Sequence, residues 1–181
     1  MTDFSYANVD WAEGTKNLPG IKRNVYFLPK SEISAWPAFD ELSNKYTANF
    51  TIGDNTWKRL QVVMRKSPVT SEMQGEPENA THLNKATFIF AGTSAAALAF
   101  AAKANRDDLV FLVEDRHGVF HVIGHEDFRT MVRAGVALGT EGGDEKGITM
   151  EIECTDAYML PTYEEAIYTT DGNVNPDSTS D

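Results

Sequence analysis

The sequence predicts a mainly β domain with one α-helix, arranged as an antiparallel β-sandwich or barrel that the helix flanks. Several runs alternate apolar and polar residues with a period of two, as half-buried strands do. Two apolar runs are separated by five residues that end in a glycine, which is the spacing of a β-hairpin. One alanine-rich run, 95–104, contains no Gly or Pro and indicates a helix.

Length favours a single domain, because 181 residues are enough to bury one core. We divide the chain into an N-terminal arm at 1–20, a β-rich domain at 21–168 and an acidic, flexible C-terminal tail at 169–181. The arm carries isolated aromatic residues without a regular period, and these either dock on a neighbouring subunit or pack on their own domain. The tail has the low hydrophobicity that is typical of disordered segments.

Charge and cysteine content narrow the class of protein. The net charge is −11, and eleven acidic residues but one lysine lie after residue 140, which argues against a sequence-reading nucleic-acid-binding protein. The single cysteine, Cys154, excludes an internal disulfide framework and a multi-cysteine metal site. No apolar run approaches the roughly 20 residues of a transmembrane helix, and the first residues lack the pattern of a signal peptide. We therefore expect no membrane partner.

The sequence of the first half of the domain predicts strands before and after a long polar loop. A strict alternation at 46–52 predicts a half-buried strand, and 56–65 returns after a turn at Gly53 to form a hairpin with it. Residues 66–80 contain Pro and Gly and have little apolar content, so we expect a long polar loop there. An apolar strand at 87–91 follows and leads into the helix.

The second half predicts the helix, a hairpin and two closing strands. The helix should begin near Ser94, whose hydroxyl can cap its first turn. The apolar runs 109–113 and 119–123 predict the hairpin, and alternate apolar residues at 132–138 indicate one further strand. The clearest alternation is at 148–155. It places Ile148, Met150, Ile152 and Cys154 in the core and Thr149, Glu151, Glu153 and Thr155 outside.

Candidate catalytic and metal-binding residues are few. Three histidines recur every four residues at 117–125, but on a strand this spacing separates them by about 13 Å, too far for one ion. Cys154 lies on an apolar strand face, which favours an inert buried thiol. Glu151 and Glu153 have no His or Lys beside them, so a solvated face is favoured over acid–base catalysis. The glycines at 139–143 lack the Lys-Ser/Thr of a phosphate-binding loop. We expect no enzymatic activity, cofactor or metal.

The order of predicted elements resembles that of bacteriophage tail-tube proteins, the major tail protein family. Several short stretches are similar to those of virion structural proteins from phages of Bacteroidetes, namely 71–76, 88–92, 109–113 and 118–124. The resemblance covers about residues 20–160 and implies a β-sandwich or barrel of tail-tube type with a flanking helix. It further implies hexameric rings that stack into a tube, strands that line a lumen for DNA, and a long loop that bridges stacked rings.

Under this resemblance the chain is a non-enzymatic virion protein, assembled in the host cytoplasm into the tail. Its partners are its own copies and other virion proteins, and DNA passes without specific binding. A capsid or head–tail connector protein is the first alternative, and a soluble small-ligand-binding β-domain is the second. The oligomeric state seen by electron microscopy separates these readings.

A tube that conducts DNA should not bind it, and carboxylates that face the lumen repel phosphates. We therefore expect the lumen wall to contain Thr149, Glu151, Glu153 and Thr155, with Glu141, Asp144 and Glu145 nearby. We expect the inter-ring loop to contain Glu72, Gln74, Glu76 and Glu78. The alternative is that these acids only keep the outside of a particle soluble.

Overall fold

The structure of the protein is a computed structural model that describes residues 6–144 and 146–175. Within these residues the chain is mainly β with one α-helix, α1 (Ala95–Ala104), as the sequence predicts. The strands, in chain order, are β1 (Ile21–Pro29), β2 (Phe39–Asp40), β3 (Lys45–Tyr46), β4 (Lys58–Gln61), β5 (Val69–Gln74), β6 (Thr81–Ala91), β7 (Leu109–Asp115), β8 (Phe120–Ile123), β9 (Met131–Ala137), β10 (Gly147–Asp156), β11 (Thr162–Tyr163), β12 (Tyr168–Thr169) and β13 (Gly172–Asn173).

Two sheets face each other as a sandwich. The larger sheet has seven strands in the order β2-β3-β11-β8-β7-β1-β4, and the smaller sheet has four in the order β5-β6-β10-β9. Adjacent strands are antiparallel except β3 and β11, which are parallel. The last two strands, β12 and β13, form a separate short hairpin.

The main hydrophobic core lies between the two sheets. Phe111 of β7 meets Phe88 of β6 there, with ring centroids 5.8 Å apart. Met150 and Ile152 of β10 are fully buried in the same core. This burial accounts for the apolar positions of the alternating runs, because every second residue of a strand points to the same face of a sheet.

A second core covers the opposite face of the larger sheet. Strand β7 is buried on both faces, which is why Leu109–Val113 is a continuous apolar run rather than an alternating one. An irregular third layer packs on that opposite face and is contributed by the parts of segments 33–57 and 163–174 that lie outside strands β2, β3 and β11 of the larger sheet. The second core between this layer and the sheet contains large aromatic side chains, namely Tyr46 of β3, Phe50, Trp57 and Tyr163 of β11.

Helix α1 is confirmed at the predicted position. Ser94 is its N-cap, and the Ser94 hydroxyl accepts a hydrogen bond from a first-turn backbone N–H at 3.2 Å. The small residues Ala101 and Ala104 are buried against the sandwich, where the helix contacts β9 and β10. Small side chains on this face allow the helix to approach the sheet closely.

The two large apolar side chains of the helix differ in their surroundings. Phe100 packs on Phe27 of β1, with ring centroids 4.8 Å apart, and also contacts Phe90 of β6. Leu98 is 38% exposed. Phe100 therefore packs the helix on the sandwich, whereas Leu98 is not part of the core.

The predicted hairpin of 46–52 and 56–65 is wrong. Only Lys45–Tyr46 of the first segment is a strand, and β4 of the second pairs with β1 instead. Tyr46 and Phe50 are buried in the second core with ring centroids 5.5 Å apart. The apolar spacing therefore reflects aromatic packing in an irregular layer, which periodicity alone does not distinguish from a strand.

The predicted long polar loop at 66–80 is also wrong. Residues Val69–Gln74 form β5, which pairs with β6 from Val69↔Ala86 to Gln74↔Thr81. A short 3₁₀ turn, Pro77–Asn79, completes the connection. As an edge strand with both faces partly exposed, β5 lacks the apolar alternation by which the other strands are recognised.

The two ends of the described chain differ in structure. Residues 6–20 contain no helix or strand and are all exposed. The tail prediction at 169–181 begins too early, because Gly172–Asn173 pairs with β12 and Asn175 is buried. Residues 1–5 and 176–181 lie outside the described residues. No helix of the described chain is long and apolar enough to cross a membrane.

Candidate assembly surface

The face of the smaller sheet that points away from the core is the candidate functional surface, and we call it the outer face. On β10 the side chains of Ile148, Met150 and Ile152 are fully buried, so the residues between them point outward. The register of the four strands gives the outer face its members: Thr70, Glu72 and Gln74; Thr81, Leu83, Lys85, Thr87 and Ile89; Thr149, Glu151, Glu153 and Thr155; and Met131, Arg133, Gly135 and Ala137.

All four predicted lumen residues lie together on the outer face. Thr149 and Glu151 are exposed, whereas Glu153 and Thr155 are half-buried. Because β10 is a central strand, each of them has a neighbour on both sides. The sequence alternation therefore predicted which face they occupy, but not what lies beside them.

The outer face carries charges of both signs. Glu151 lies opposite Arg133 of β9, and Glu153 lies opposite Lys85 of β6. Opposite charges on directly paired residues attract each other across a sheet. With Glu72, the outer face holds three carboxylates and two bases, so the predicted acids share it with Lys85 and Arg133.

The remaining acids near β10 have different roles. The carboxylate Oδ2 of Asp144 closes the β9–β10 loop, because it accepts hydrogen bonds from the backbone N–H and the hydroxyl of Thr140 at 2.8 and 2.5 Å. The Thr140 hydroxyl lowers the pKa of Asp144. Glu141 is exposed in the same loop, and Glu145 lies outside the described residues. Asp156 is fully buried and contributes no surface charge.

The end strands of the smaller sheet, β5 and β9, each pair with one neighbouring strand only within the described chain. On β9 the Asn105 side chain accepts from the Ala134 N–H at 2.7 Å and donates to its carbonyl oxygen at 3.4 Å, so this edge is covered at Ala134. Strand β9 exposes Met131 and Val136, the latter to 53%, and Leu138 just beyond it is also exposed. An exposed edge with apolar side chains offers unpaired backbone groups to another chain. The edges are therefore candidate contacts between copies.

The predicted inter-ring residues lie on the β5–β6 hairpin. Glu72 and Gln74 belong to the outer face of β5, whereas Glu76 and Glu78 lie at the tip. The tip needs a glycine, because Gly75 has φ +81° and a Cβ there would lie 2.9 Å from a backbone oxygen. The acids thus project from a fixed hairpin rather than from a loop.

A buried polar cluster was missed by the sequence reasoning. The Asn84 side-chain amide donates to Oδ2 of Asp156 at 3.5 Å, and its oxygen accepts from the Ser71 hydroxyl at 2.6 Å and the Leu160 N–H at 3.2 Å. Asp156 Oδ1 accepts from the Tyr158 N–H at 3.0 Å. These bonds tie β5, β6 and the segment after β10 together.

The signal for this cluster is present in the sequence. Asn84 and Asp156 occupy inward positions of alternating strands, where an apolar residue is expected. A polar residue at a core position needs hydrogen-bond partners, and the two therefore indicate a buried network. Burial raises the pKa of Asp156, while the charge of nearby His125, whose Nε2 lies 3.9 Å away, acts in the opposite direction.

The histidines at 117–125 are dispersed. Nε2 of His121 lies 3.3 Å from Oδ2 of Asp115, and Nδ1 lies 3.4 Å from the carbonyl oxygen of Leu160, so both ring nitrogens face oxygen acceptors. No group of three or more His, Cys, Asp or Glu within residues 6–144 and 146–175 is placed to hold a metal. Cys154 is buried, and burial raises its pKa to about 11.

A second feature missed by the sequence reasoning is a groove between β4 and α1, which we call the β4–α1 groove. It has a volume of about 570 Å³ and lies at the free edge of the larger sheet. Phe27, Phe90 and Phe100 form its floor, and Arg23 and Lys58 are among its other lining residues. Lys58 lies opposite Phe27 in the strand register, whereas Arg59 lies opposite Tyr26 and points to the third layer. These residues come from four separate elements, so no local sequence pattern indicates the groove.

Comparisons with protein-family models, with curated proteins and with solved structures find no match to this chain. The arrangement of its own residues is therefore the basis for the function proposed below.

Proposed function

We propose that the chain is a structural subunit of a bacteriophage tail tube, which assembles with its own copies into stacked rings around a lumen for DNA. The outer face of the smaller sheet carries the proposal. It is a hydrophilic, largely exposed surface on a central strand, with open edges on either side. The sequence resemblance and the β-sandwich with its flanking helix support the same function.

The open edges suit assembly into a ring. Neighbouring subunits can pair β5 of one copy with β9 of the next on either side of Ala134, whose backbone groups already bond the Asn105 side chain. Head-to-tail contacts of this kind close into a ring when the rotation between copies divides a full turn. The outer faces of successive copies then form one continuous surface that lines the lumen.

The mixed charge of the outer face is compatible with a conduit. A wall rich in bases would retain DNA through its phosphates, whereas three carboxylates against two bases leave a small acidic excess. The paired charges also stabilise the sheet. In this proposal the acids at the tip of the β5–β6 hairpin contact the adjacent ring.

Negative-stain electron microscopy of the purified protein tests this function. We expect rings or tubes, and we expect Val136→Lys to abolish them while the melting temperature stays unchanged, because a lysine on β9 blocks edge pairing. Leu42→Lys, an equally polar change at an exposed site of the third layer, is the control. Glu76→Lys with Glu78→Lys should leave single rings that no longer stack.

Other outcomes distinguish the alternatives. Closed shells would favour a capsid protein, and single wide rings would favour a connector. A monomer at every concentration would contradict the tail tube and favour a small-ligand-binding domain.

A further inference from the structure

The β4–α1 groove has an apolar floor. Phe27 and Phe90 are almost fully buried, and Phe100 and Leu60 are half-buried beside them. With a volume of about 570 Å³, the groove has room for an indole ring together with a smaller apolar side chain. Sites that bind aromatic anchors in protein interfaces have this character.

The rim of the groove is basic. Arg23 and Lys58 are exposed, and the residues that line the groove include no acid. Neither base has an ion-pair partner within the described part of the chain. In a chain of net charge −11, two such bases beside an apolar floor form a distinctive surface.

The groove also borders a free strand edge. Strand β4 ends the larger sheet and pairs only with β1 in the described chain. An extended peptide beside β4 can therefore form main-chain hydrogen bonds while its side chains enter the groove. Such a peptide needs apolar anchors and acidic residues.

The N-terminal arm of this chain has both. Val9 is 98% exposed and Trp11 is 65% exposed, so neither side chain is accommodated by its own domain. In an extended peptide these two residues point to one face. Asp10 and Glu13 lie beside them, and residues 6–13 contain no Lys or Arg.

We propose that the β4–α1 groove binds the N-terminal arm of a second copy of this chain, with Trp11 on the apolar floor and the arm's acids against Arg23 and Lys58. The inference rests on the proposed self-assembly, for which it supplies a contact separate from the sheet edges. The backbone N–H of Leu18 donates to Nε2 of His117 at 3.2 Å, so the free part of the arm before this bond is residues 12–17, which can span up to about 20 Å.

Disulfide trapping between two single-cysteine variants tests the proposal. One full-length chain carries Ala12→Cys in the arm, and a second chain with a size tag carries Ala96→Cys at the groove. Both alanines are exposed. Because each chain has only one added cysteine, a cross-link of the expected size requires an arm of one copy in the groove of another. The buried Cys154, with its raised pKa of about 11, should not react, and the parent chain checks this.

We expect the mixed cross-link to form at least about ten-fold faster than with Asp54→Cys, an exposed control position on the third layer. Trp11→Ala in the arm chain should remove this advantage, whereas Trp11→Phe should keep most of it. Lys58→Glu in the groove chain should slow the reaction, and Asp10→Arg in the arm chain should restore it, because Lys58 lies opposite Phe27 on the groove face of β4. Equal rates at positions 96 and 54 would overturn the proposal.

Two further results separate this inference from the proposed function. A chain that carries both Ala12→Cys and Ala96→Cys would form only an internal disulfide if the arm occupied its own groove, and that outcome contradicts the proposal. Rings in the micrographs without the cross-link would reject the arm contact alone. A cross-link without rings would reject the tail tube and keep the arm contact.

Discussion

On the outer face, the effect of a single residue on stability depends on the side chain directly opposite it on the neighbouring strand. Glu151 faces Arg133, and Glu153 faces Lys85. Such pairs contribute about 0.2–1 kcal/mol each, and like charges in the same positions destabilise a sheet. We therefore expect the acids of β10 to affect the stability of the sheet as well as the charge of the surface.

Arg133→Glu should lower the free energy of unfolding by about 1 kcal/mol, because it places two carboxylates opposite each other. The exchanged pair, Arg133→Glu with Glu151→Arg, should recover most of this loss. Urea denaturation measures both, with Arg65→Glu at an exposed site as the control. If the exchanged pair were as unstable as the single variant, Glu151 and Arg133 would not interact.

The buried carboxylate of Asp156 makes stability depend on pH. Burial raises its pKa in the folded protein above the ordinary 3.8, although the Tyr158 N–H and the charges of His125 and His82 act against burial. The protonated form therefore fits the folded state better. Its contribution is complete below pH 3.8 and is lost as the pH rises through the raised pKa.

Relative to Asp156→Asn, which does not titrate, the parent protein should lose stability between pH 4 and pH 7. Urea denaturation at several pH values measures the difference. Asp144→Asn is the control: the pKa of Asp144 is lowered, so its contribution changes only below the ordinary value and the difference stays flat across this window. A flat difference for Asp156→Asn as well would show that Asp156 stays ionised in the fold.

At the scale of elements, local signals were sufficient for α1, the β7–β8 hairpin and β10. Each has a complete pattern within its own residues: a capped alanine run, two apolar runs around a turn, and a strict alternation. Strand β5 has no such local pattern. It is held in place by pairing with β6 and by the Ser71–Asn84 hydrogen bond.

Phe100→Ala should lower the free energy of unfolding by about 2–4 kcal/mol, because it removes the aromatic contacts with Phe27 and Phe90. Leu98→Ala, in the same helix, should cost less than about 1 kcal/mol because its side chain is already partly exposed. Thermal and urea denaturation of both variants test this difference. Equal losses would mean that Leu98 is as well packed as Phe100.

At the scale of the whole molecule, three layers set which surfaces are available for assembly. The third layer covers one face of the larger sheet, and the smaller sheet covers the other. The outer face and the third layer therefore lie on opposite sides of the molecule. Equal charge changes on these two sides alter the net charge of the protein equally. In the proposed tube, only the changes on the outer face alter the charge of the lumen wall.

Glu151→Lys with Glu153→Lys should make assembled tubes retain double-stranded DNA at low salt and release it at moderate salt, because the lumen then attracts phosphates. Asp54→Lys with Asp171→Lys, the same charge change at exposed sites of the third layer, should not. DNA retention by sedimented tubes is the measurement. If the mutant tubes retain no more DNA than the parent tubes, the outer face does not line the lumen.

The sequence by itself determined the mainly β class, the helix with its cap and the two faces of β10, because period and capping are local properties of consecutive residues. Only the tertiary structure decided that 46–52 is an irregular aromatic layer and that 69–74 is a strand, because both depend on distant partners. It likewise decided that bases lie opposite Glu151 and Glu153 and that four elements meet at the β4–α1 groove. Residues far apart in sequence are brought side by side by strand register and layer packing, which no local pattern encodes.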